Sequence, residues 1–103
     1  MGQVRSVKVR FTSPALADLK NIVDHINVHS PRGAHRVRQR IKLLLERIAG
    51  QPFLGKRTDD PAIRRLATVP YPYLIFYEAA DDEIIVHAVR HGARDPSSMP
   101  GQS

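Results

Sequence analysis

The stretch of residues 71–96 constrains the fold more than any other part of the chain. Two apolar runs within it, residues 73–77 and 84–89, alternate with a period of two residues and are joined by a short acidic turn. Both sides of each run are apolar over much of its length, which is typical of strands in the middle of a sheet. The stretch therefore predicts a β-hairpin that other parts of the chain cover on at least one face.

The alternation predicts which side chains of the hairpin share a face. In the first strand the two sets are Tyr73, Ile75 and Tyr77, and Leu74 and Phe76. In the second strand the two sets are Ile84, Val86 and Ala88, and Ile85, His87 and Val89. Cationic and imidazole groups follow closely after the second strand. The end of the hairpin is therefore the strongest local indication of a functional surface.

Two segments repeat apolar side chains with helical spacing. They are residues 15–28 and residues 31–49, and each follows a Ser-Pro pair. Ser13 and Ser30 are expected to cap the free backbone amides, because a serine oxygen accepts hydrogen bonds from the first turn of a helix. Gly50 marks the end of the second helix. The short connection between the two segments predicts an antiparallel helical hairpin.

The strand patterns complete the fold prediction. Residues 4–11 and 63–69 alternate like strands, whereas residues 51–61 have the composition of a loop. The order is β-α-α-β-β-β, which predicts a two-layer α+β domain with an antiparallel sheet packed against the helical hairpin. The domain is expected to span residues 1–96, and residues 97–103 are expected to form a flexible tail.

The composition narrows the possible partners. The chain has 103 residues, a formal net charge of +6 and no cysteine. A net positive charge favours polyanionic partners, which include nucleic acids and acidic protein segments. No apolar run approaches the roughly 20 residues of a membrane span, and the N-terminus lacks the pattern of a signal peptide. A cytoplasmic location with no membrane partner is therefore expected.

The second helix carries its charge on one side. Four arginines lie nearly opposite its apolar stripe, and Glu46 is the only acid in the segment; the arginines are Arg32, Arg36, Arg40 and Arg47. Leu43 projects between these arginines and away from the stripe. An exposed leucine on a basic helix favours contact with a partner.

The sequence gives little support to metal or nucleophilic catalysis. His25 and His29 have a spacing of four residues, but Ile26 occupies the position of the glutamate in the zinc-binding HExxH pattern. No serine lies in a nucleophile elbow and no glycine-rich phosphate loop is present. No metal and no other cofactor is predicted.

Metal-independent RNA cleavage remains as possible chemistry. It needs a base, an acid and cations that stabilise charge on the phosphate. The chain has the required residue types, and their spacing alone does not say whether they converge: Arg64, Arg65, Tyr71, Tyr73, Tyr77, His87, Arg90, His91 and Arg94.

Several segments together resemble the RelE/ParE superfamily of bacterial toxins. They are the entry helix PALADLKNIVDHI, the RLATVPY run that starts at Arg65, the YLIFY strand and the VRHGARDP ending. The resemblance covers residues 4–96, and the ending looks more like the ParE branch. The lysine-rich middle of the RelE branch is absent here, because Lys56 is the only lysine after the second helix.

The resemblance to ParE-like toxins implies a target and a neutralising partner. The target would be DNA gyrase, which the toxin would inhibit by binding and not by catalysis. The residues expected to bind the target are Arg65, Tyr71, Tyr73, Arg90, His91 and Arg94. The partner would be a ParD-like antitoxin whose acidic C-terminal segment folds on the toxin. The toxin would contact DNA only indirectly, through this antitoxin. The residues expected to bind this segment are Leu16, Leu19, Val23, Arg36, Arg40, Leu43 and Arg47.

The RelE-like branch supplies the alternative. Its members cut mRNA on the ribosome, and in that case the catalytic residues would be Arg65, Tyr77, His87, Arg90, His91 and Arg94. His91 is followed by Gly92 and not by a terminal aromatic residue, which counts against this alternative.

Overall fold

Both helices begin at the predicted Ser-Pro pairs. In the computed structural model, which describes residues 7–92, α1 spans Ser13–His29 and α2 spans Pro31–Gly50. Ser30 caps α2 as predicted, because its hydroxyl accepts a 2.9 Å hydrogen bond from the Gly33 amide. Ser13 is not the cap of α1. The Thr12 hydroxyl accepts from the Ala15 amide at 3.2 Å, and Ser13 is the first residue inside the helix.

The described residues contain five strands. They are β1 (Lys8–Phe11), β2 (Lys56–Arg57), β3 (Arg64–Ala67), β4 (Tyr73–Ala79) and β5 (Glu83–His91). Strand β2 lies inside the segment that was predicted to be a loop. Residues 4–6 of the first predicted strand and the predicted tail, residues 97–103, lie outside the described residues.

The strands form one sheet in the order β1-β5-β4-β3-β2. The predicted meander of β3, β4 and β5 is confirmed, since each pairs antiparallel with the next. The sheet is not wholly antiparallel, because β1 pairs with β5 in parallel. A parallel pair needs a long crossover, and the chain supplies one because both helices and three strands separate β1 from β5.

A β-bulge changes the predicted faces of β5. The register of β4 and β5 shifts between Phe76 and Tyr77, where Phe76 pairs with Ala88 and Tyr77 pairs with Val86. One extra residue in β5 reverses the alternation beyond it. Val89 therefore packs with Ile84 and Val86, and Ala88 lies on the opposite face. The predicted grouping of Ala88 with Ile84 and Val86 was wrong for this reason.

The sheet separates two apolar clusters. The inner cluster joins the two helices to one face of the sheet and contains Ile48, Ile75, Tyr77, Val86 and Val89 among others. The outer cluster is smaller and contains Ile63, Phe76 and Ala88, with Leu74 packed against it. The two predicted faces of β4 are thus confirmed.

Neither helix of residues 7–92 is long and apolar enough to cross a membrane.

Candidate functional surfaces

Tyr77 is part of the core and not of a surface site. Its side chain is 0% exposed. Its hydroxyl donates to the Pro52 carbonyl at 2.9 Å and accepts from the Gly55 amide at 2.8 Å. Burial raises the pKa of Tyr77 above its usual 10.0. Because the hydroxyl has no access to solvent and already has two partners, Tyr77 does not fit the catalytic role that the RelE-like alternative gives it.

The loop after α2 is fastened to this tyrosine. A Cβ atom at Gly55 would lie 2.7 Å from the Tyr77 hydroxyl and 2.8 Å from the Arg65 carbonyl, so only glycine permits the approach. Arg64 holds the same loop, since its guanidinium donates to the Gly55 carbonyl at 2.9 Å and to the Phe53 carbonyl at 3.3 Å. The guanidinium also lies 5.0 Å above the Phe53 ring.

Two cations lie opposite each other on the outer face of the sheet. Lys56 of β2 pairs with Arg65 of β3, and Arg65 pairs in turn with Phe76 of the outer cluster. Directly opposite residues share a face, so like charges here repel each other. Within residues 7–92, neither side chain has an ion pair or a side-chain hydrogen bond. The sequence does not indicate that Lys56 lies opposite Arg65, because the two-residue strand β2 has no recognisable pattern.

Helix α1 secures the end of β5. Strand β1 pairs only with the first half of β5, and beyond it Thr12 and Asp18 take over. The Thr12 hydroxyl lies 3.4 Å from the His87 carbonyl, and the Asp18 carboxylate accepts from the Val89 amide at 3.1 Å. The same carboxylate oxygen is 3.6 Å from Arg90 Nε, which is an ion-pair distance but too long for a hydrogen bond. Arg90 is therefore partly used to hold the helix.

The other polar groups of β5 also have neighbours. His91 pairs with Tyr73 across the strands, and their rings meet edge to face with centroids 5.6 Å apart. His87 Nε2 lies 3.0 Å from a carboxylate oxygen of Glu78. Arg94 lies outside the described residues. The hairpin end thus brings Arg90, His91 and Tyr73 together, whereas Tyr77 lies in the core.

The described residues offer no cluster for a metal. No group of three or more histidine, aspartate or glutamate side chains within residues 7–92 is arranged to hold an ion. The rings of His25 and His29 lie edge to face at 6.0 Å, as expected for two histidines one turn apart on a helix.

An apolar groove runs beside β1. This β1 groove has a volume of about 540 Å³, and its lining includes Val9, Phe11, Leu19, Arg38, Ile41, Lys42 and Leu45. Among residues 7–92, β1 is an edge strand, so one side of its backbone has no partner strand in this part of the chain. A smaller hollow of about 230 Å³ on α1, lined by Leu16 and Val23 among others, shares Leu19 and Arg38 with the β1 groove.

A second surface lies on the other side of α2. The Leu43 patch, as we name it, consists of Arg36, Arg40, Leu43, Val69 and Tyr71, which line a hollow of about 520 Å³ with their neighbours. Leu43 is 56% exposed and Val69 is 63% exposed. The predicted exposure of Leu43 is confirmed.

The structure divides the residues that were expected to bind one antitoxin segment. Leu16, Leu19 and Val23 lie beside the β1 groove, and Val23 is almost fully buried. Arg36, Arg40 and Leu43 belong to the Leu43 patch, and the helical spacing places Arg47 on the same face. The two groups lie on different sides of α2. Tyr71, which was expected to bind the target, joins the second group.

Comparison with known proteins gives the family. The family model described as ParE toxin of type II toxin-antitoxin system, parDE, matches residues 9–96, which include both helices and all or nearly all of every strand. This chain belongs to the ParE toxin family. The predicted resemblance to the RelE/ParE superfamily is thereby confirmed.

This ParE-family toxin is also similar to individual proteins of the RelE/ParE superfamily and its fold. Toxin RelE2 of Caulobacter vibrioides is 39% identical over 87 residues, which cover 84% of this chain and 97% of the relative. A chain of the chromosomal ParDE TA system from P. aeruginosa matches with a TM-score of 0.72 and 22% identity, over 84% of this chain and 96% of that one. The structural match confirms the predicted α+β fold.

Proposed function

We propose that this ParE-family toxin inhibits DNA gyrase without catalysis and acts in the cytoplasm. The observation that carries the proposal is the state of the candidate catalytic groups in residues 7–92. Tyr77 is buried with both hydrogen-bonding roles used, His87 contacts Glu78, and Arg90 contacts Asp18. Metal-independent RNA cleavage needs an accessible acid and base on either side of a phosphate. The buried Tyr77 is not accessible for either role, and His87 and Arg90 already contact carboxylates.

A side-by-side assay tests this proposal. The purified toxin is expected to inhibit supercoiling by DNA gyrase from its host, while mRNA on translating ribosomes stays intact. Cleavage of the mRNA with unchanged supercoiling would show that the proposal is wrong. Heat-unfolded toxin is the control, because a folded surface is required for specific binding.

One observation favours the RelE-like alternative, a ribosome-dependent mRNA endoribonuclease. Lys56 and Arg65 face each other on the outer face of the sheet with no acid paired to either within the described residues. Two cations that face each other across neighbouring strands suit a phosphate group. If this alternative holds, Arg65→Ala or His91→Ala abolishes toxicity without weakening the fold. Unchanged toxicity of both variants would exclude it.

We also propose that a cognate ParD-like antitoxin neutralises the toxin by folding an acidic segment into the β1 groove. The groove combines apolar walls with two cations, Arg38 and Lys42, and one acid, Glu46. Its net charge is positive, so an amphipathic segment with acidic side chains fits its chemistry. The open edge of β1 offers backbone hydrogen bonds to an added strand. DNA contact by the toxin is expected to occur only through the antitoxin.

Substitutions in the groove test the antitoxin site. Val9 lies on β1 and is 37% exposed, so Val9→Asp places a negative charge in the groove with little effect on the core. We expect antitoxin binding to weaken at least about tenfold by calorimetry. Val28→Asp is the matched control, because Val28 is 79% exposed and lines none of the surfaces described above. Equal affinity of both variants would show that the segment binds elsewhere.

A further inference from the structure

The face of α2 that carries the Leu43 patch has a charge that the fold does not balance. Arg32, Arg36, Arg40 and Arg47 follow one face of α2 at spacings of four, four and seven residues. Within residues 7–92, none of their guanidinium groups lies within ion-pair distance of a carboxylate. Neighbouring like charges on a helix are destabilising. The face therefore carries a cost that stability does not explain.

Apolar side chains lie within this basic face. Leu43 is 56% exposed between the arginines, and Val69 is 63% exposed across the hollow from it. A nucleic-acid backbone would pair with the arginines but would leave these two side chains without apolar contact. Exposed apolar groups surrounded by arginine and tyrosine are instead typical of a protein interface.

The loop half of the patch is held in one conformation. Arg40 Nε donates to the Val69 carbonyl at 2.8 Å and ties the loop to α2. Thr68 is 0% exposed, and its hydroxyl donates to the Tyr71 carbonyl at 3.1 Å, while its carbonyl accepts from the Tyr71 amide at 2.9 Å. A surface that is already ordered loses little entropy on binding. The patch therefore has the rigidity expected of a docking surface for a folded protein.

The patch and the β1 groove lie on nearly opposite sides of α2. With about 100° of rotation per residue, Leu43 and Arg36 are turned roughly 140° from the mean direction of Arg38, Lys42 and the other groove-lining residues of α2. A segment that folds into the β1 groove does not by itself cover the Leu43 patch. The β1 groove has the open edge and the apolar depth that suit a folding segment, and the patch has neither.

We propose that the Leu43 patch is the surface with which the toxin contacts its protein target, and that it binds an acidic region of that target carrying exposed apolar side chains. This inference rests on the proposed function, in which the target is DNA gyrase. Arg36, Arg40 and Tyr71 provide charge and hydrogen bonding at the rim, and Leu43 and Val69 provide the apolar centre. The hairpin end formed by Arg90, His91 and Tyr73 is then outside the main contact.

Binding to gyrase in the absence of DNA tests the inference. The purified full-length toxin is passed over immobilised gyrase holoenzyme, and supercoiling inhibition is measured in parallel. Leu43→Asp and Arg36→Glu are each expected to weaken binding at least about tenfold and to raise the inhibitory concentration by a similar factor. Val69→Asp provides an independent variant on the loop, and Val28→Asp is the matched control. Circular dichroism and Tm confirm that each variant is folded.

The possible results separate the two levels of the proposal. If the wild-type toxin neither binds nor inhibits gyrase, the proposed function fails. If the wild type binds and all three patch variants bind equally well, the Leu43 patch is not the target surface. If the wild type binds duplex DNA but not gyrase alone, the arginines recognise phosphate and the inference is overturned. Selective loss with the patch variants, and normal binding by Val28→Asp, supports it.

Discussion

Arg64 and Arg65 are neighbours in β3, but the sheet uses them in opposite ways. Arg64 lies in register with Tyr77, donates to two carbonyls of the loop after α2 and stacks over Phe53. Arg65 lies on the outer face opposite Lys56, and no acid within the described residues pairs with it. The first arginine contributes to stability, whereas the second has a cost that only a ligand or partner would offset.

The contrast between Arg64 and Arg65 shows how structural and functional polar groups can be distinguished in a small basic protein. Charge and position in the sequence do not distinguish the two arginines. The partners do, because buried or partly buried polar groups that maintain a fold have their hydrogen bonds satisfied. The same criterion assigns Tyr77 to the core and leaves Lys56, Arg65 and Arg36 as candidates for binding, whereas Arg40 of the Leu43 patch already donates to the Val69 carbonyl.

The largest expected effect on stability comes from a substitution in the loop that Arg64 and Tyr77 hold in place. In Gly55→Ala the new Cβ would be within 2.8 Å of the Tyr77 hydroxyl and the Arg65 carbonyl, so the loop and β3 must move apart. We expect the free energy of unfolding to fall by about 3 kcal/mol in urea titrations. Gly50→Ala is the control, because nothing lies within 4 Å of its Cβ position and helix content is expected to rise slightly. Equal stability of the two variants would contradict the close approach.

Tyr77→Phe is expected to have an intermediate effect. It removes the partner of the Gly55 amide and of the Pro52 carbonyl, which lowers the free energy of unfolding by about 2 kcal/mol. The Tyr77 pKa is raised in the folded state, so its contribution is complete below the usual pKa of 10.0 and decreases as the pH rises further. Wild-type stability should therefore decline more steeply above pH 10 than that of Tyr77→Phe. Tyr73→Phe, which keeps the buried hydroxyl, should follow the wild-type profile.

The smallest expected changes in stability come from replacing each of the two arginines, Arg64 and Arg65, with glutamine. Arg64→Gln is expected to lower the free energy of unfolding by about 1 kcal/mol, because two carbonyls lose a charged donor. Arg65→Gln keeps the aliphatic part of the side chain and removes repulsion from Lys56, so stability should stay equal or rise by up to about 0.5 kcal/mol. The gain should disappear in high salt. Destabilisation by Arg65→Gln would show that Arg65 also has a structural role.

The sequence predicted the elements with regular patterns. Pro14 and Pro31 marked the helix starts, and the alternation from Tyr73 to Tyr77 predicted two apolar faces because strand geometry alone sets that period. The parallel pairing of β1 was not predictable, since no local pattern records which strand a distant segment joins. The sequence also contains no pattern that predicts the bulge that moves Val89 to the inner face.

The functional groups were only partly predictable for a related reason. Arg65 and Leu43 could be identified as unusual from their residue type and position. Whether they had partners depended on contacts with Lys56, Val69 and Tyr71, which are distant in sequence. Asp18 has no distinguishing pattern in the sequence, and only the structure shows that it accepts a hydrogen bond from the backbone of β5.

The hydrogen bond of the Asp18 carboxylate also affects whether another polypeptide can add to the edge of β5. By occupying the Val89 amide, helix α1 closes the half of β5 that β1 leaves uncovered, so another polypeptide cannot add to it there. The Val89 amide should then exchange with deuterium only on global unfolding, as a slow marker at the sheet edge. Asp18→Ala would make that amide exchange fast and expose a new edge to self-association. We therefore expect a single carboxylate to limit self-association at this edge of the sheet.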